Sequence, residues 1–312
     1  MSSQSLRYPG LLIFSALFSV VLLLGVTLPG DSRLINALQD SGHFLIFTLL
    51  SLAVLWSYKT TTDKYFWPIL LGCLLFGAVM EIVQYTIGRE ASLYDLLMNA
   101  MGVTAGGFLF SGIIRRSIPR GLSVLAAVLL FVIAFSGPLY WLFVSQVRNT
   151  DFPILVNLEG TAASAFLRGS NGGDVRIIKR PINWPADIAA DQERCAIVLL
   201  KEGVWPGVSL IEPEPDWRGY QSLELSLYSE QRHTLPLTLR INDRTHNNKL
   251  SDRFNRRLEL NYGYNHFTIP LKEIENSPLE RRMDLSAITN FLIFGTKQQI
   301  GNEFYLLSMW LR

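Results

Sequence analysis

Two cysteines in 312 residues are too few for a disulfide framework, and isolated thiols at 73 and 195 make no zinc site. Histidine is equally scarce, at four. Charged residues make up only 17% of the chain, below the roughly 25% usual in soluble domains. No H-E-x-x-H run and no G-x-S-x-G elbow occurs, so two common hydrolase patterns are missing. There is no basic block and no interleaving of basic with aromatic residues, and the net charge is only +2. Nucleic acid is therefore not an expected partner. What is abundant is apolar: 49% hydrophobic residues and a mean hydropathy of +0.24, too much for a disordered chain.

The average conceals two halves. Residues 1–150 carry nine Lys/Arg and six Asp/Glu, a membrane-like sparsity, whereas residues 151–312 carry nineteen and twenty, as a soluble domain does. In the first half, five stretches poor in charge are long enough to cross a bilayer as helices: 8–30, 41–58, 65–88, 93–114 and 121–147. The first is not read as a signal peptide. Its apolar run is too long for a signal core, and no A-x-A-like cleavage site follows it. Six basic residues (Arg7, Lys59, Lys64, Arg115, Arg116, Arg120) flank one side of these spans and three (Arg33, Arg89, Arg148) the other. The positive-inside rule then predicts a cytoplasmic N-terminus, a multi-pass protein of the inner or plasma membrane, and an extracytoplasmic C-terminal half.

Polar groups inside membrane helices are costly, which makes them candidates for function. Asp40 and His43, Glu81 and Gln84, and Asp95 and Asn99 form three pairs at helical spacing, each on one helix face. Arg89 lies in the loop between the third and fourth spans. With the predicted orientation, all seven sit at the outer-leaflet end. Asp95, Asn99, Gly102 and Gly106 form one stripe on the fourth span, and the two glycines are a small-xxx-small pair suited to close helix packing. His43, Glu81 and Asp95 are the candidate catalytic residues, since a histidine beside carboxylates can move protons. Two carboxylates and a histidine could also hold a divalent metal. The sequence demands neither, and the expectation is no metal and no cofactor, with binding favoured over catalysis.

The ordered set Asp40-Ser-Gly-His43-Phe-Leu-Ile-Phe, Glu81-Ile-Val-Gln84 and Arg89-Glu-Ala-Ser92-Leu-Tyr-Asp95-Leu-Leu-Met-Asn99-Ala-Met-Gly102 resembles the VanZ-like membrane protein family over roughly residues 10–115. That resemblance implies a small bacterial integral membrane protein. The family's founding member is associated with resistance to the glycopeptide teicoplanin. The fifth span then serves as a connector.

In the second half, residues 149–220 are rich in Pro, Gly and Trp, and from 221 the pattern turns to strand alternation. Leu223/Leu225/Leu227, Leu235/Leu237/Leu239/Ile241 and Phe267/Ile269/Leu271 alternate with polar neighbours. Phe291, Ile293 and Phe304 to Leu311 supply further strands, and 163–167, 174–178 and 196–200 are earlier ones. About eight short strands predict a β-sandwich or jelly roll. The runs Asp216-Trp217-Arg-Gly219-Tyr220, Arg240-Ile-Asn-Asp243, Asp252-Arg253-Phe254-Asn255, Gly263-Tyr264-Asn265, Asp284-Leu285-Ser286 and Phe304-Tyr305-Leu306 resemble a galactose-binding-like jelly roll of the carbohydrate-binding-module kind. The resemblance implies sugar binding, with Tyr220, Arg240, Asp243, Asp252, Arg253 and Tyr264 as candidates. Trp217 and Phe254 are read as core or strand-edge packing, and the Arg240, Asp243, Asp252 and Arg253 set could equally pin loops. A structural calcium is doubtful, because Leu307-Ser308-Met309 stands where related modules carry an acidic residue.

The expected fold class is therefore a multi-domain membrane protein: an all-α five-helix transmembrane bundle (1–148) and an all-β jelly-roll sandwich (149–312). Its expected partners are the lipid bilayer and an envelope glycan or lipid-linked sugar. An enzyme acting on an envelope lipid or polymer, and a membrane assembly scaffold, are the alternatives.

Overall fold

The computed structural model describes residues 8–25, 32–58, 63–87, 92–182, 184 and 193–312. The chain divides into two compact units, 1–142 and 143–312.

The first unit is helical. It holds α1 (Pro9–Gly25), α2 (Arg33–Tyr58), α3 (Asp63–Thr86), α4 (Leu93–Leu109, continued by a π-turn over Phe110–Ile114) and most of α5 (Arg120–Asp151). Four are long and apolar enough to cross a membrane: α2, α3, α4 with its π-turn, and α5. The first expected span is an apolar helix of 17 described residues, and residues 26–30 of that span lie outside the described residues. Helix α2 begins at Arg33, eight residues before the expected 41. A helix does not stop at its first charge: 33–40 continue the helical pattern, so Asp40 and His43 sit two to three turns inside α2 rather than at its start.

Aromatic and leucine side chains fill the bundle interior, with Phe47, Leu55, Phe66 and Phe110 in one cluster. The outer faces are apolar as well: Leu49, Leu75, Ile82 and Leu125 are each more than half exposed. A helix apolar on all sides suits a lipid surround. Where α4 crosses α2, an added Cβ at Gly102 would meet the carbonyl of Phe44, and one at Gly106 would meet Ser51 and the Thr48 carbonyl. The two glycines thus let the helix backbones touch, as small-xxx-small spacing requires.

The second unit is a two-sheet antiparallel sandwich with eleven strands among the described residues: β1 (Ile154–Val156), β2 (Leu167–Ser170), β3 (Gly173–Lys179), β4 (Arg194–Leu200), β5 (Gly207–Ile211), β6 (Ser222–Ser229), β7 (Leu235–Asp243), β8 (Phe254–Leu260), β9 (Gly263–Pro270), β10 (Ile288–Phe294) and β11 (Glu303–Leu311). The larger sheet runs β3-β4-β11-β6-β9 with β1 paired to β11, and the smaller runs β2-β5-β10-β7-β8. From β4 onward the chain passes repeatedly between the sheets, in the jelly-roll manner. Leu223, Leu225, Leu227, Leu235, Leu239, Ile241, Ile293, Phe304 and Met309 are fully enclosed between them, and so is Trp217. Each such side chain contributes about 1.5–3 kcal/mol of hydrophobic stabilisation.

Two expectations need correction. The chain has seven α-helices among the described residues rather than five, because the second half also carries α6 (Ala162–Phe166) and α7 (Leu271–Glu275). The expected strand at 163–167 is α6. Its five residues are too few to separate a period of 2 from one of 3.6, and its alanines favour helix. Strand β6 also departs from simple alternation, since all eight of its residues are buried.

Candidate functional site

In the helical unit, three elements bring the polar residues together. His43 comes from α2, Glu81 from α3, and Asp95 and Asn99 from α4. Nδ1 of His43 lies 3.0 Å from Oδ1 of Asn99 and 3.8 Å from Oε1 of Glu81. One ligand-capable atom from each of His43, Glu81 and Asp95 falls within 4.8 Å of the others. His43, Glu81 and Asn99 are buried and Asp95 is half-buried. Ser92 caps α4: its hydroxyl accepts from the backbone N–H of Tyr94 at 3.1 Å and of Asp95 at 3.4 Å, while its own N–H points to Oε2 of Glu81 at 3.5 Å. The cap thus fixes the first turn of α4, and Asp95 with it, against Glu81.

The remaining members of the expected set are placed differently. Gln84 is buried and donates to the carbonyl of Leu23 at 2.9 Å, tying α3 to α1. Asp40 is half-buried on α2, about one turn before His43. Arg89 lies outside the described residues. His43 also borders a cleft of about 530 Å³ between α1 and α2, lined mainly by apolar side chains such as Phe14, Phe18, Leu45 and Leu49.

In the sandwich, the six sugar-binding candidates separate into groups. Asp243 and Asp252 are buried, and both are bound by Arg281, which the sequence patterns did not single out. Arg281 donates to Asp243 at 2.5 and 2.8 Å and to Asp252 at 2.5 Å. Asp243 also accepts from the N–H of Asp284 at 2.7 Å, and Asp252 from that of Asn247 at 2.8 Å. Burial raises the Asp243 pKa, but Arg281 and the Asp284 amide outweigh it and hold the carboxyl below its ordinary value. Asp252 is held low chiefly by its bond from Arg281. These carboxylates pin the loops between β7 and β10. Arg240 donates to Oδ1 of Asn242 at 3.2 Å and contacts Nε2 of His246 at 3.2 Å. Neither Arg240 nor Arg253 has a carboxylate partner among the described residues, and burial lowers the pKa of both. Tyr220 packs edge-on against Phe152.

Tyr264 belongs to a more organised surface, the face of the larger sheet turned away from the core. Register places Trp310 and Thr268 on either side of Glu224, and His266 opposite Ser226. Glu224 accepts from Ser222 at 2.6 Å, Thr268 at 2.7 Å and Nε2 of His266 at 2.9 Å. Burial raises the Glu224 pKa, but these three bonds outweigh it, so the group is a carboxylate. His266 therefore donates from Nε2, while its Nδ1 lies 3.0 Å from the Ser226 hydroxyl, which is itself 3.0 Å from the Tyr264 hydroxyl. Every polar group in this chain of bonds has a partner, and three rings neighbour one another along it, with Trp310 tilted 33° to His266. Tyr264 and His266 are parallel within 10°, and His266 lies 5.7 Å from Trp310. The residues Glu, His and Ser are those of a hydrolytic triad, but Ser226 is buried and its hydroxyl is engaged by both His266 and Tyr264. Simple alternation assigns Glu224 and Ser226 to solvent. Their burial comes from Thr268, His266 and Trp310, residues distant in sequence.

No known family model matches the chain, and no curated protein matches it. Solved structures similar to it include a family 11 carbohydrate-binding module from Clostridium thermocellum in complex with a β-1,3-1,4-mixed-linked tetrasaccharide, 12% identical over 46% of this chain and 86% of that one, with a TM-score of 0.34. TmCBM61 in complex with β-1,4-galactotriose is 14% identical over 47% of this chain and 87% of that one, with a TM-score of 0.31. An exo-β-agarase is 13% identical over 51% of this chain and 24% of that one, with a TM-score of 0.40. Likeness of this degree carries no functional argument, and the sandwich rests on its own strand order.

Proposed function

We propose that this chain is a membrane protein of the bacterial envelope that recognises a glycan or glycolipid through its sandwich, held outside the cytoplasm by a VanZ-like bundle. The observation that carries the proposal is the sheet-face platform. Tyr264 and His266 hold parallel rings with Trp310 tilted 33° beside them, on the sheet face where His266 and Thr268 bind Glu224. Aromatic faces stack on the apolar faces of sugar rings, while fixed polar groups take the hydroxyls. The excess of basic residues on one set of loops supports the orientation. Apolar outer helix faces support the bilayer as surround. The VanZ-like pattern extends the proposal to glycopeptide susceptibility.

Purified full-length protein in detergent, applied to arrays of envelope glycans and lipid-linked sugars, tests this. Binding by the wild type, weakened about two- to tenfold in Trp310→Ala and Tyr264→Ala with the fold intact, is the expected result, since one stacked ring contributes about 0.5–1.5 kcal/mol. Folded protein that binds nothing on the array refutes the proposal. The convergence of His43, Glu81 and Asp95 favours a second reading, an enzyme acting on an envelope lipid. Turnover of a lipid-linked sugar, lost in His43→Ala, would distinguish it from pure binding.

A further inference from the structure

We propose that His43, Glu81 and Asp95, with the amide oxygen of Asn99, form a binding site for one divalent first-row transition metal inside the helical unit. Four donors from three helices meet there. The donor atoms of the three ionisable residues lie within 4.8 Å of one another, with His43 Nδ1 at 3.8 Å from Glu81 Oε1 and 3.0 Å from Asn99 Oδ1. Ligands about 2.1 Å from a shared cation stand about 3–3.4 Å apart, so a small contraction turns this cluster into a coordination sphere.

The second observation is independent of that convergence. Oε1 of Glu81 is buried with no hydrogen-bond partner among the described residues, on a residue 7% exposed. A packing network would have satisfied that oxygen, since an idle carboxylate oxygen in a dry interior is costly. A divalent cation satisfies it. The donor set selects the metal class. One imidazole with carboxylate and amide oxygens suits zinc or manganese better than calcium or magnesium, and the absence of thiolate from the set disfavours copper(I). The scaffold is stiff enough to hold such a site, because the Ser92 cap fixes the first turn of α4 and Gly102 and Gly106 lock α4 against α2. This inference departs from the expectation of no metal, and it is independent of the sandwich's role in glycan binding.

Full-length protein in detergent is stripped with a chelator, dialysed, and titrated with Zn²⁺ and, separately, Co²⁺. One zinc per chain by elemental analysis is expected, together with a visible ligand-field spectrum for the cobalt form and a rise in melting temperature on metal addition. Glu81→Gln and Asp95→Asn, which keep the shape of the side chains, should each weaken zinc affinity at least about tenfold. No stoichiometric metal in the wild type overturns the proposal, as does equal affinity in wild type and both variants. The cobalt spectrum needs only the wild type, so the test stands even where a variant fails to fold. Glycan binding that survives metal removal leaves the proposed function untouched.

Discussion

Arg281 shows how one side chain can decide what its neighbours do. Its guanidinium binds both Asp243 and Asp252, converting two candidate ligand carboxylates into loop anchors. Replacing it with alanine leaves Asp243 buried and short of its charged partner, and removing one member of a buried pair is strongly destabilising. Arg281→Ala should lower the melting temperature of the sandwich by several degrees, as followed by tryptophan fluorescence of the full-length protein. The same pair sets an acid limb. Both aspartates have folded pKa values below the unfolded value of 3.8, so their stabilisation is present above that pH and is lost as the pH falls through the lower, folded values. Urea midpoints measured on stepwise acidification should therefore decline below about pH 4 in the wild type, and that decline should be shallower in Arg281→Ala.

Elements contribute through which of their faces can approach a neighbour. An added side chain at Gly106 would collide with Ser51 and the Thr48 carbonyl on α2, whereas one at Gly72 on α3 meets nothing within 4 Å. Gly106→Val should cost about 1–3 kcal/mol by overpacking, and Gly72→Ala should be neutral or stabilise by up to about 1 kcal/mol through helix propensity. Thermal midpoints in detergent and abundance in membranes would register the contrast. The helices were legible in the sequence because apolar runs and helical spacing are local signals, and the same spacing puts His43, Glu81, Asp95 and Asn99 on faces that can meet. Strands β6, β7 and β9 were legible by alternation, β10 and β11 as apolar runs, and Trp217 and Phe254 as packing residues by their bulk. Less visible was whatever depends on a distant partner. Alternation marks Glu224 as solvent-facing, yet Thr268 and His266, more than 40 residues on, bury it. Arg281 sits in a loop with no periodic pattern at all. Short strands such as β1, β2 and β5 hold too few residues to show a period.

At the scale of the whole chain, the proposed topology is open to a direct chemical test. Both native cysteines are buried, so a single cysteine introduced at Leu279, a side chain 80% exposed on the sandwich, would be the reactive thiol. Leu279→Cys should react with a membrane-impermeant maleimide added to spheroplasts, and protection until the cells are lysed would invert the orientation. The order of the larger sheet bears on how such a domain is made. Strand β11 lies between β4 and β6 and also pairs with β1, so among the described strands the one latest in the chain joins the earliest to the middle of the sheet. Until residues 303–311 emerge, β4 and β6 have no common partner, and the sandwich cannot close from its N-terminal end. A chain cut short before β11 loses the strand that joins β4 to β6, and with it the partner of β1.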